Sequence, residues 1–358
     1  MATVLGVMVS GGTTYAFLPR ASANRVFAGQ VPDLLAAELA VLDAGLTASR
    51  HPRTSATTIG GVDYLAAEVD GDPYGPAELG VLSNLATMHA LFTVEGELLR
   101  PQPVHPLQRH DDDLVTIQRY AGKTNEVFTH LLVNLALAAS STGWPGVLGG
   151  ERLRLLDPVC GRGTTLNRAV LYGIDAVGLD VDQRDVEAYE AFFVGWCKDK
   201  RLKHEVDRAR LRKGRDVPAT RCTVTFGSGK DSAEHRTVQI INDDTVRAGE
   251  HLKRRSIDLL VCDLPYGVQH GARPAGGQLE RGPAALLQEA LPVWTELLRP
   301  GAGVAMAWNR RTMGRDELAE LVRTAGLEPV PVGGDDAFLH RVDRAITRDV
   351  LVARRPVG

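Results

Sequence analysis

The sequence predicts an α/β protein with a mostly parallel sheet and a small α+β domain in front of it. Beyond residue 150, short apolar runs typical of strands alternate with stretches that have helical spacing. Such alternation arises from right-handed crossovers between parallel strands, which place helices on both faces of the sheet. The first hundred residues lack this alternation, so we expect two domains.

The composition is that of a globular protein. Of 358 residues, 44% are hydrophobic and 24% are charged, and the net charge of −3 argues against a surface that is basic all over, as in nonspecific nucleic-acid binders. The four cysteines have no CxxC spacing, so neither a disulfide framework nor a metal site is expected. The first 20 residues lack the pattern of an export signal, and no window approaches the roughly 18 apolar residues of a membrane span. We therefore expect a cytoplasmic protein without membrane contact.

The N-terminal domain is predicted to span residues 1–106. Its expected elements are a strand at Val4–Val9, an apolar run at Thr14–Leu18, a helix at Asp33–Leu46 and a stretch with helical spacing at Val81–Phe92. The proline-rich segment 101–106 breaks the pattern and is the predicted linker. The sequence leaves open whether this domain guides RNA or forms a homodimer.

The second domain is predicted to span residues 107–358. It begins with a helix at Asn125–Ser140, for which Asn125 or Thr124 is a suitable N-cap. The strands that follow are predicted at 153–156, 176–180, 237–241, 257–262, 303–308 and 349–353, and the helices at 163–172, 186–198, 284–298 and 315–325. Ligands of such sheets bind beyond the carboxyl ends of the strands, so those ends are the expected functional region.

The first strand leads into a glycine-rich turn, Asp157-Pro-Val-Cys-Gly-Arg-Gly-Thr-Thr165. Gly161 and Gly163 permit backbone conformations that other residues avoid, and they leave room for a ligand against the main chain. A plain strand-to-helix turn, which needs one glycine, is the alternative. The third glycine of a dinucleotide-binding GxGxxG motif and the GKS or GKT of a P-loop are both missing.

Aspartates follow three further strands. Asp180 lies about 20 residues beyond Asp157, where nucleoside-binding folds place a carboxylate that accepts the ribose hydroxyls. Asp243 could accept a hydrogen bond from an adenine amine, or form an Asx turn or helix cap. Asp263 opens Asp-Leu-Pro-Tyr-Gly267. Four such strand ends around one glycine-rich turn favour a nucleoside cofactor over four separate caps.

Together these motifs resemble the class I S-adenosylmethionine (SAM)-dependent methyltransferases. Asp157-Pro-Val-Cys-Gly-Arg-Gly-Thr and Asp263-Leu-Pro-Tyr are similar to motifs of the tRNA guanosine-N2 methyltransferases associated with THUMP domains, which carry D-P-x-C-G-x-G-T and DPPYG or DLPFG. The segment Tyr120–Asn125, leading into Val133–Ala136, resembles the helix that closes over the cofactor in those enzymes. The resemblance covers about residues 115 to 355. A recognisable full-length THUMP domain is not evident in the first hundred residues.

The resemblance implies a Rossmann-like, mostly parallel seven-stranded sheet that binds SAM, leaves S-adenosylhomocysteine as product and needs no metal. Asp157, Gly161 and Gly163 would line the methionine end of the cofactor, Asp180 its ribose and Asp243 its adenine amine. The full set of cofactor-binding positions implied is Thr124, Asn125, Asp157, Cys160, Gly161, Gly163, Thr164, Thr165, Asp180, Val181 and Asp243. The long gap between Asp180 and Asp243 contains an insertion of about residues 198–236.

The Asp-Leu-Pro-Tyr motif suits methyl transfer to an exocyclic amine, whose lone pair is delocalised into its ring. Asp263 and the Leu264 carbonyl can accept the two N–H bonds and stabilise the charge that develops on nitrogen. Pro265 restricts the direction of the Leu264 carbonyl, and Tyr266 offers a face on which a base can stack. A tight turn with a buried tyrosine is the alternative.

Substrate contacts are predicted at Lys123, Gly267, His270 and Arg310. His270 and Arg310 could equally be solvated. Lys198–Arg215, inside the insertion, carries nine cations against three acids and could contact phosphates or form a solvated face.

The expected function is N-methylation of guanosine N2 in tRNA or rRNA, with RNA bound through the insertion and the N-terminal domain. A methyltransferase of a small-molecule, nucleoside or peptide amine is the alternative enzyme. A noncatalytic RNA-binding subunit is a third hypothesis, which the intact Asp263 and Tyr266 disfavour.

Overall fold

The computed structural model describes residues 12–22, 24–120, 122–211, 219–227, 234–266, 282–334 and 336–358. The chain forms two compact units. One comprises Met1–Leu107 with Pro331–Arg344, and the other comprises Gln108–Val330 with Ala345–Gly358.

The first unit is built on an antiparallel sheet with the strand order β2-β3-β1-β4-β5. Its elements are β1 (Gly12–Pro19), α1 (Arg25–Ala28), α2 (Val31–Ala44), β2 (Arg53–Ile59), β3 (Val62–Asp70), α3 (Pro76–Leu82), β4 (Met88–Glu95) and β5 (Leu98–Pro101). The buried Glu38 of α2 accepts hydrogen bonds from the backbone N–H groups of Ala86 (2.9 Å) and Thr87 (3.2 Å). These bonds fix the turn before β4.

The helical prediction for Val81–Phe92 was wrong beyond its first residues, because α3 ends at Leu82 and β4 begins at Met88. Residues of β4 pair with β1, with Phe92 opposite Ala16, and this tertiary pairing outweighs the local pattern. The predicted strand Val4–Val9 lies outside the described residues.

The second unit contains α4 (Asp113–Thr116), α5 (Glu126–Ala139), α6 (Gly143–Leu148), β6 (Arg154–Asp157), α7 (Thr164–Leu171), β7 (Asp175–Asp180), α8 (Gln183–Asp199), β8 (Lys203–Leu211), β9 (Ala219–Gly227), β10 (Arg236–Asn242), a 3-10 helix (Thr245–Arg247), α9 (Ala248–His251), β11 (Ile257–Asp263), α10 (Pro283–Leu297), β12 (Leu298–Asn309), α11 (Arg315–Thr324), β13 (Glu328–Pro329) and β15 (Thr347–Arg354). The short β14 (His340–Arg341) belongs to the first unit. The predicted helices and strands of the second domain therefore form, and each of their ends lies within five residues of the expected one.

The sheet of the second unit has the strand order β13-β15-β12-β11-β6-β7-β10-β9-β8. The central strands β12, β11, β6, β7 and β10 are parallel, as in a Rossmann-like fold, whereas β15, β9 and β8 add antiparallel pairs at the two sides. The sheet is thus mixed, and the expectation of seven mostly parallel strands was too simple. The insertion itself supplies the hairpin β8–β9, which extends the sheet beyond β10.

The order of the strands reverses between β6 and β11. From β6 the chain proceeds to β7 and β10 on one side, and then to β11 and β12 on the other. Such a switch point opens a crevice at the carboxyl ends of the strands. Asp157 ends β6 and Asp263 ends β11, so both aspartates lie at this point.

Some of the described cations of the insertion are paired with acids. Lys200 contacts Asp111 and Asp113 (2.6 and 2.5 Å), and Arg208 contacts Glu190 (2.5 Å). Arg221, on the partner strand, contacts Asp207 at 3.5 Å. Arg201, Lys203 and Arg210 are exposed.

No helix of the described chain is long and apolar enough to cross a membrane. Within those same residues, no group of three or more histidine, cysteine, aspartate or glutamate side chains is placed to hold a metal ion.

Candidate active site

The glycine-rich turn after β6 has two left-handed glycines, Gly161 (φ 48°) and Gly163 (φ 75°). A Cβ atom added at Gly163 would lie 2.3 Å from the Tyr189 ring, so this glycine allows helix α7 to pack closely against α8. A Cβ added at Gly161 would meet nothing within 4 Å. The backbone of Gly161 therefore faces open space, as a turn that receives a ligand requires.

Asp157 is 3% exposed and lies beneath this turn. Burial raises the pKa of its carboxyl to about 7, against the lowering effect of hydrogen bonds from Thr165 and the Val159 N–H, and the charges of Asp180 and Asp263 raise it further. The carboxylates of Asp180 and Asp263 therefore lie close enough to Asp157 to raise its pKa. Three carboxyl groups at one sheet edge favour a ligand that carries positive charge.

Asp180 fixes the turn from the neighbouring strand. Its carboxylate accepts hydrogen bonds from the backbone N–H groups of Gly161 (2.7 Å) and Asp182 (2.9 Å), and burial raises its pKa. The next residue, Val181, is 72% exposed although it is apolar. An exposed valine beside the turn provides an apolar contact for the face of a planar ring.

Asp243 follows β10 and is held by two residues that the sequence did not indicate. Its carboxylate contacts His251 Nε2 at 2.6 Å and Arg247 Nη1 at 3.4 Å. It also accepts the N–H of Asp244, the next residue, at 2.8 Å. The Asx-type cap at this strand end is formed by Asp244 instead, whose side chain accepts the Val246 N–H at 3.1 Å as N-cap of the 3-10 helix. The structure places Asp243 beside Asp180, because the Asp243 N–H donates to the Asp180 carbonyl at 3.2 Å.

Asp263 is the centre of a hydrogen-bonded group at the end of β11. The Thr124 hydroxyl donates to its Oδ2 atom at 2.8 Å, the Tyr266 hydroxyl donates to its Oδ1 atom, and Arg348 Nη2 donates to Oδ2 at 3.3 Å. The side chain is 14% exposed, so part of it is accessible to solvent at the end of β11. Leu264 is buried, and its N–H donates to the Ala307 carbonyl at 2.8 Å, which anchors the motif to β12.

Sequence reasoning missed Arg348, on β15. Its side chain is 6% exposed, and its guanidinium carbon lies over the rings of Phe128 (4.3 Å to the centroid) and Tyr266 (5.2 Å). Arg348 Nε donates to the Tyr266 hydroxyl at 2.5 Å. Burial and the Asp263 carboxylate raise the pKa of Tyr266, so its phenol stays protonated and can donate.

The turn has a second neighbour in Tyr120, whose hydroxyl lies 3.0 Å from Thr164 Oγ1. The guanidinium of Arg162 covers the Tyr120 ring at 5.0 Å and pairs with Asp185 at 2.7 Å. Cys160 and Thr165 are buried within the same turn. The segment before α5 and the glycine-rich turn are therefore in direct contact.

Other predicted site residues have structural partners. Asn125 is the N-cap of α5, as predicted, and its side chain accepts the N–H groups of the first turn. Lys123 Nζ contacts the Val115 carbonyl (2.7 Å) and Glu126 (2.5 Å).

Arg310 pairs with the fully buried Asp349 at 2.7 Å. Pro265 is exposed. Gly267 and His270 lie outside the described residues.

No protein-family profile matches the chain, and no curated protein matches it. Among solved structures it is similar to a TehB-like SAM-dependent methyltransferase from Corynebacterium glutamicum (13% identity, 59% of this chain and 85% of that one, TM-score 0.34). It is also similar to an rRNA methylase from Streptococcus thermophilus (10%, 66% and 99%, TM-score 0.34) and to a SAM-dependent methyltransferase from Archaeoglobus fulgidus (13%, 57% and 86%, TM-score 0.31).

Proposed function

We propose that this protein is a SAM-dependent N-methyltransferase that acts on an exocyclic amine, with guanosine N2 in tRNA or rRNA as the substrate. The observation that carries the proposal is the position of Asp157 and Asp263 at the ends of adjacent parallel strands, on either side of the switch point. A ligand over the glycine-rich turn and an amine at Asp263 would share one crevice.

The residues around the turn fit a sulfonium nucleoside. Gly161 leaves open space against the backbone, and the three carboxyl groups suit a cationic ligand. In this proposal Asp157 and the turn, including Cys160, Gly163, Thr164 and Thr165, bind the methionine end, Asp180 accepts the ribose hydroxyls, and Val181 and Asp243 contact the adenine. Thr124 and Asn125 approach from the segment before α5. Bound SAM supplies the electrophilic methyl group.

Asp263 has room for the amine. An ionised carboxylate offers about four acceptor positions, and protein donors take three of them at Asp263. The remaining position and the Leu264 carbonyl accept the two N–H bonds of the substrate, which favours a tetrahedral nitrogen. As the C–N bond forms, the C–S bond breaks and its electron pair stays on sulfur. The methylated nitrogen then loses one proton to water.

Holding nitrogen and methyl carbon in line is the main contribution expected of the fold. Such positioning can supply about 7–11 kcal/mol of a bimolecular barrier. The Leu264 N–H bond to Ala307 and the restriction imposed by Pro265 keep the acceptor carbonyl in one orientation. The ring of Tyr266 provides the stacking face for the base.

The alternative substrate is a small-molecule, nucleoside or peptide amine. The pairing of Lys200 and Arg208 with acids favours it, because paired cations have less charge to offer to phosphates. The exposed Arg201, Lys203 and Arg210 favour RNA.

One assay separates these candidates and tests the chemistry. Purified protein is incubated with labelled SAM and either total RNA or a pool of nucleosides and small amines, and the product nucleosides are identified by mass spectrometry. We expect N2-methylguanosine from RNA. The Asp263→Ala variant should bind SAM with nearly unchanged affinity in calorimetry and yield no product. Turnover by that variant, or product only from the small-amine pool, would refute the corresponding part of the proposal.

A further inference from the structure

The guanidinium of Arg348 reaches the candidate amine site from a strand that is not adjacent to β11. On β15, Arg348 pairs with Asn309 of β12, whereas Asp263 of β11 pairs with Ala307 of the same strand. The partner of Arg348 on β12 therefore lies two residues past the partner of Asp263. From this position the Arg348 side chain can extend over the end of β11. Its nitrogen atoms contact both the Asp263 carboxylate and the Tyr266 hydroxyl.

The Arg348 side chain is buried among the groups that it contacts. Arg348 is 6% exposed, and its guanidinium lies over the rings of both Phe128 and Tyr266. A charge this buried is stable only with a partner, and removing one partner of such a pair leaves the other uncompensated. Stacking of Tyr266 on a base does not need the phenol oxygen. That oxygen nevertheless accepts from Arg348 and donates to Asp263, so it links the two charged groups.

We propose that Arg348 is a positioning residue for the transferase reaction. It orients the Asp263 carboxylate so that one acceptor position points to the substrate amine, and it fixes the Tyr266 ring with one face covered by the guanidinium and the other available to the base. This inference rests on the proposed function. Within the amine site, Asp263, Tyr266 and Arg348 then act as one unit.

The first test compares Arg348→Gln, Arg348→Lys and Tyr266→Phe, with Arg354→Gln as the control on the exposed far end of the same strand. We expect Arg348→Gln to lower kcat by about 10²-fold, as for loss of one preorganised donor, with the KM for SAM changed less than about twofold. Arg348→Lys should keep part of the rate and Tyr266→Phe should lower kcat, because it retains the ring and loses the link. Arg354→Gln should match the wild type.

Chemical rescue distinguishes a positioning role of Arg348 from a merely structural one. The Arg348→Ala variant has a space beside the Phe128 and Tyr266 rings that free guanidinium ion can occupy. Added guanidinium should therefore raise the kcat of this variant at least about tenfold, over a concentration range that leaves the kcat of Arg354→Gln unaffected. An Arg348→Gln variant with more than half of the wild-type kcat would overturn the inference. So would a loss that neither lysine nor guanidinium relieves.

A stability measurement distinguishes failure of this inference from failure of the proposed function. The Tm values of Asp263→Asn, Arg348→Gln and the double variant form a cycle that needs no turnover. We expect the double variant to lose less Tm than the sum of the single losses. Additive losses would overturn the pairing. Coupled losses in a protein that methylates no amine would instead refute the proposed function and leave the residue unit in place.

Discussion

The Thr124 hydroxyl donates a hydrogen bond to the Asp263 carboxylate at 2.8 Å. The residue before the N-cap of α5 is thereby joined to the end of β11, although the two are far apart in sequence. Thr124 was predicted to touch the cofactor, and it also contacts the acid that we propose accepts the substrate amine. A change at Thr124 should therefore affect the chemical step as well as cofactor binding.

Replacing Thr124 by valine keeps the shape of the side chain and removes the donor. We expect kcat to fall about three- to tenfold, or by about 0.6–1.4 kcal/mol. This is less than the roughly 1.5–3 kcal/mol of a hydrogen bond to a charged group, because two other donors to Asp263 remain. Steady-state kinetics checks this. Thr116→Val, which removes an exposed hydroxyl bonded to the Asp112 carbonyl, is the control. Equal rates for the two variants would contradict a role for Thr124.

We expect the raised pKa of Asp157 to make SAM binding dependent on pH. The carboxyl titrates near 7 in the folded protein, and a cation bound beside it should favour its ionised form. We expect SAM binding near pH 6.5 to release protons, seen as different calorimetric enthalpies in buffers of different ionisation enthalpy. The release should vanish near pH 9 and in Asp157→Asn. Identical SAM-binding enthalpies in all buffers at pH 6.5 would refute the predicted proton release.

The same carboxyl affects folding stability. Because its folded pKa is raised above the usual value of 3.8, its contribution destabilises the protein progressively as pH rises from about 4 to about 7, by up to roughly 4 kcal/mol. Asp157→Asn removes this contribution. Its Tm should therefore exceed that of the wild type at pH 8 and approach it at pH 4, as thermal unfolding monitored by circular dichroism can show. A variant less stable at pH 8 would contradict the burial argument.

The two glycines of the turn should respond differently to alanine. Gly163→Ala brings a methyl group against the Tyr189 ring, so it should lower Tm by several degrees and weaken SAM binding. Gly161→Ala meets no protein atom, so it should change Tm less and still weaken SAM binding, because the methyl group enters the open space. Gly195→Ala, in α8, where an added Cβ meets nothing within 4 Å, is the control and should stabilise the protein by about 0.5–1 kcal/mol. Unchanged SAM affinity in Gly161→Ala would remove the turn from the cofactor site.

His251 should influence cofactor affinity through Asp243. The two side chains are in contact at 2.6 Å, and the histidine holds the carboxylate that we propose accepts the adenine amine. His251→Ala should raise the Kd for SAM several-fold and leave kcat at saturating SAM nearly unchanged, because the reacting atoms lie at the other strand ends. Calorimetric titration measures the Kd for SAM, and a saturation curve with SAM measures kcat. A fall in kcat with unchanged Kd would contradict this role.

The aspartates at the strand ends could be predicted because each belongs to a motif that is continuous in sequence. A strand, an aspartate and a glycine-rich turn follow one another along the chain, so Asp157, Asp180 and Asp263 were identifiable before their positions were known. Arg348 was not, because it lies 85 residues from Asp263 in a strand whose pattern shows no special feature. Likewise, the pairing of Lys200 with Asp111 depends on tertiary contact, so the charge count of the insertion overstated its free positive charge.

The hairpin β8–β9 changes which strand terminates the sheet. Without it, β10 would present unpaired backbone groups beside the candidate site, but β9 pairs with β10 from Arg236 to Asn242. The outermost strand is then β8, where exposed Lys203, Glu205, Asp207, Arg208 and Arg210 oppose the addition of another strand. We therefore expect the charged edge of β8 to disfavour pairing with a second chain along this side.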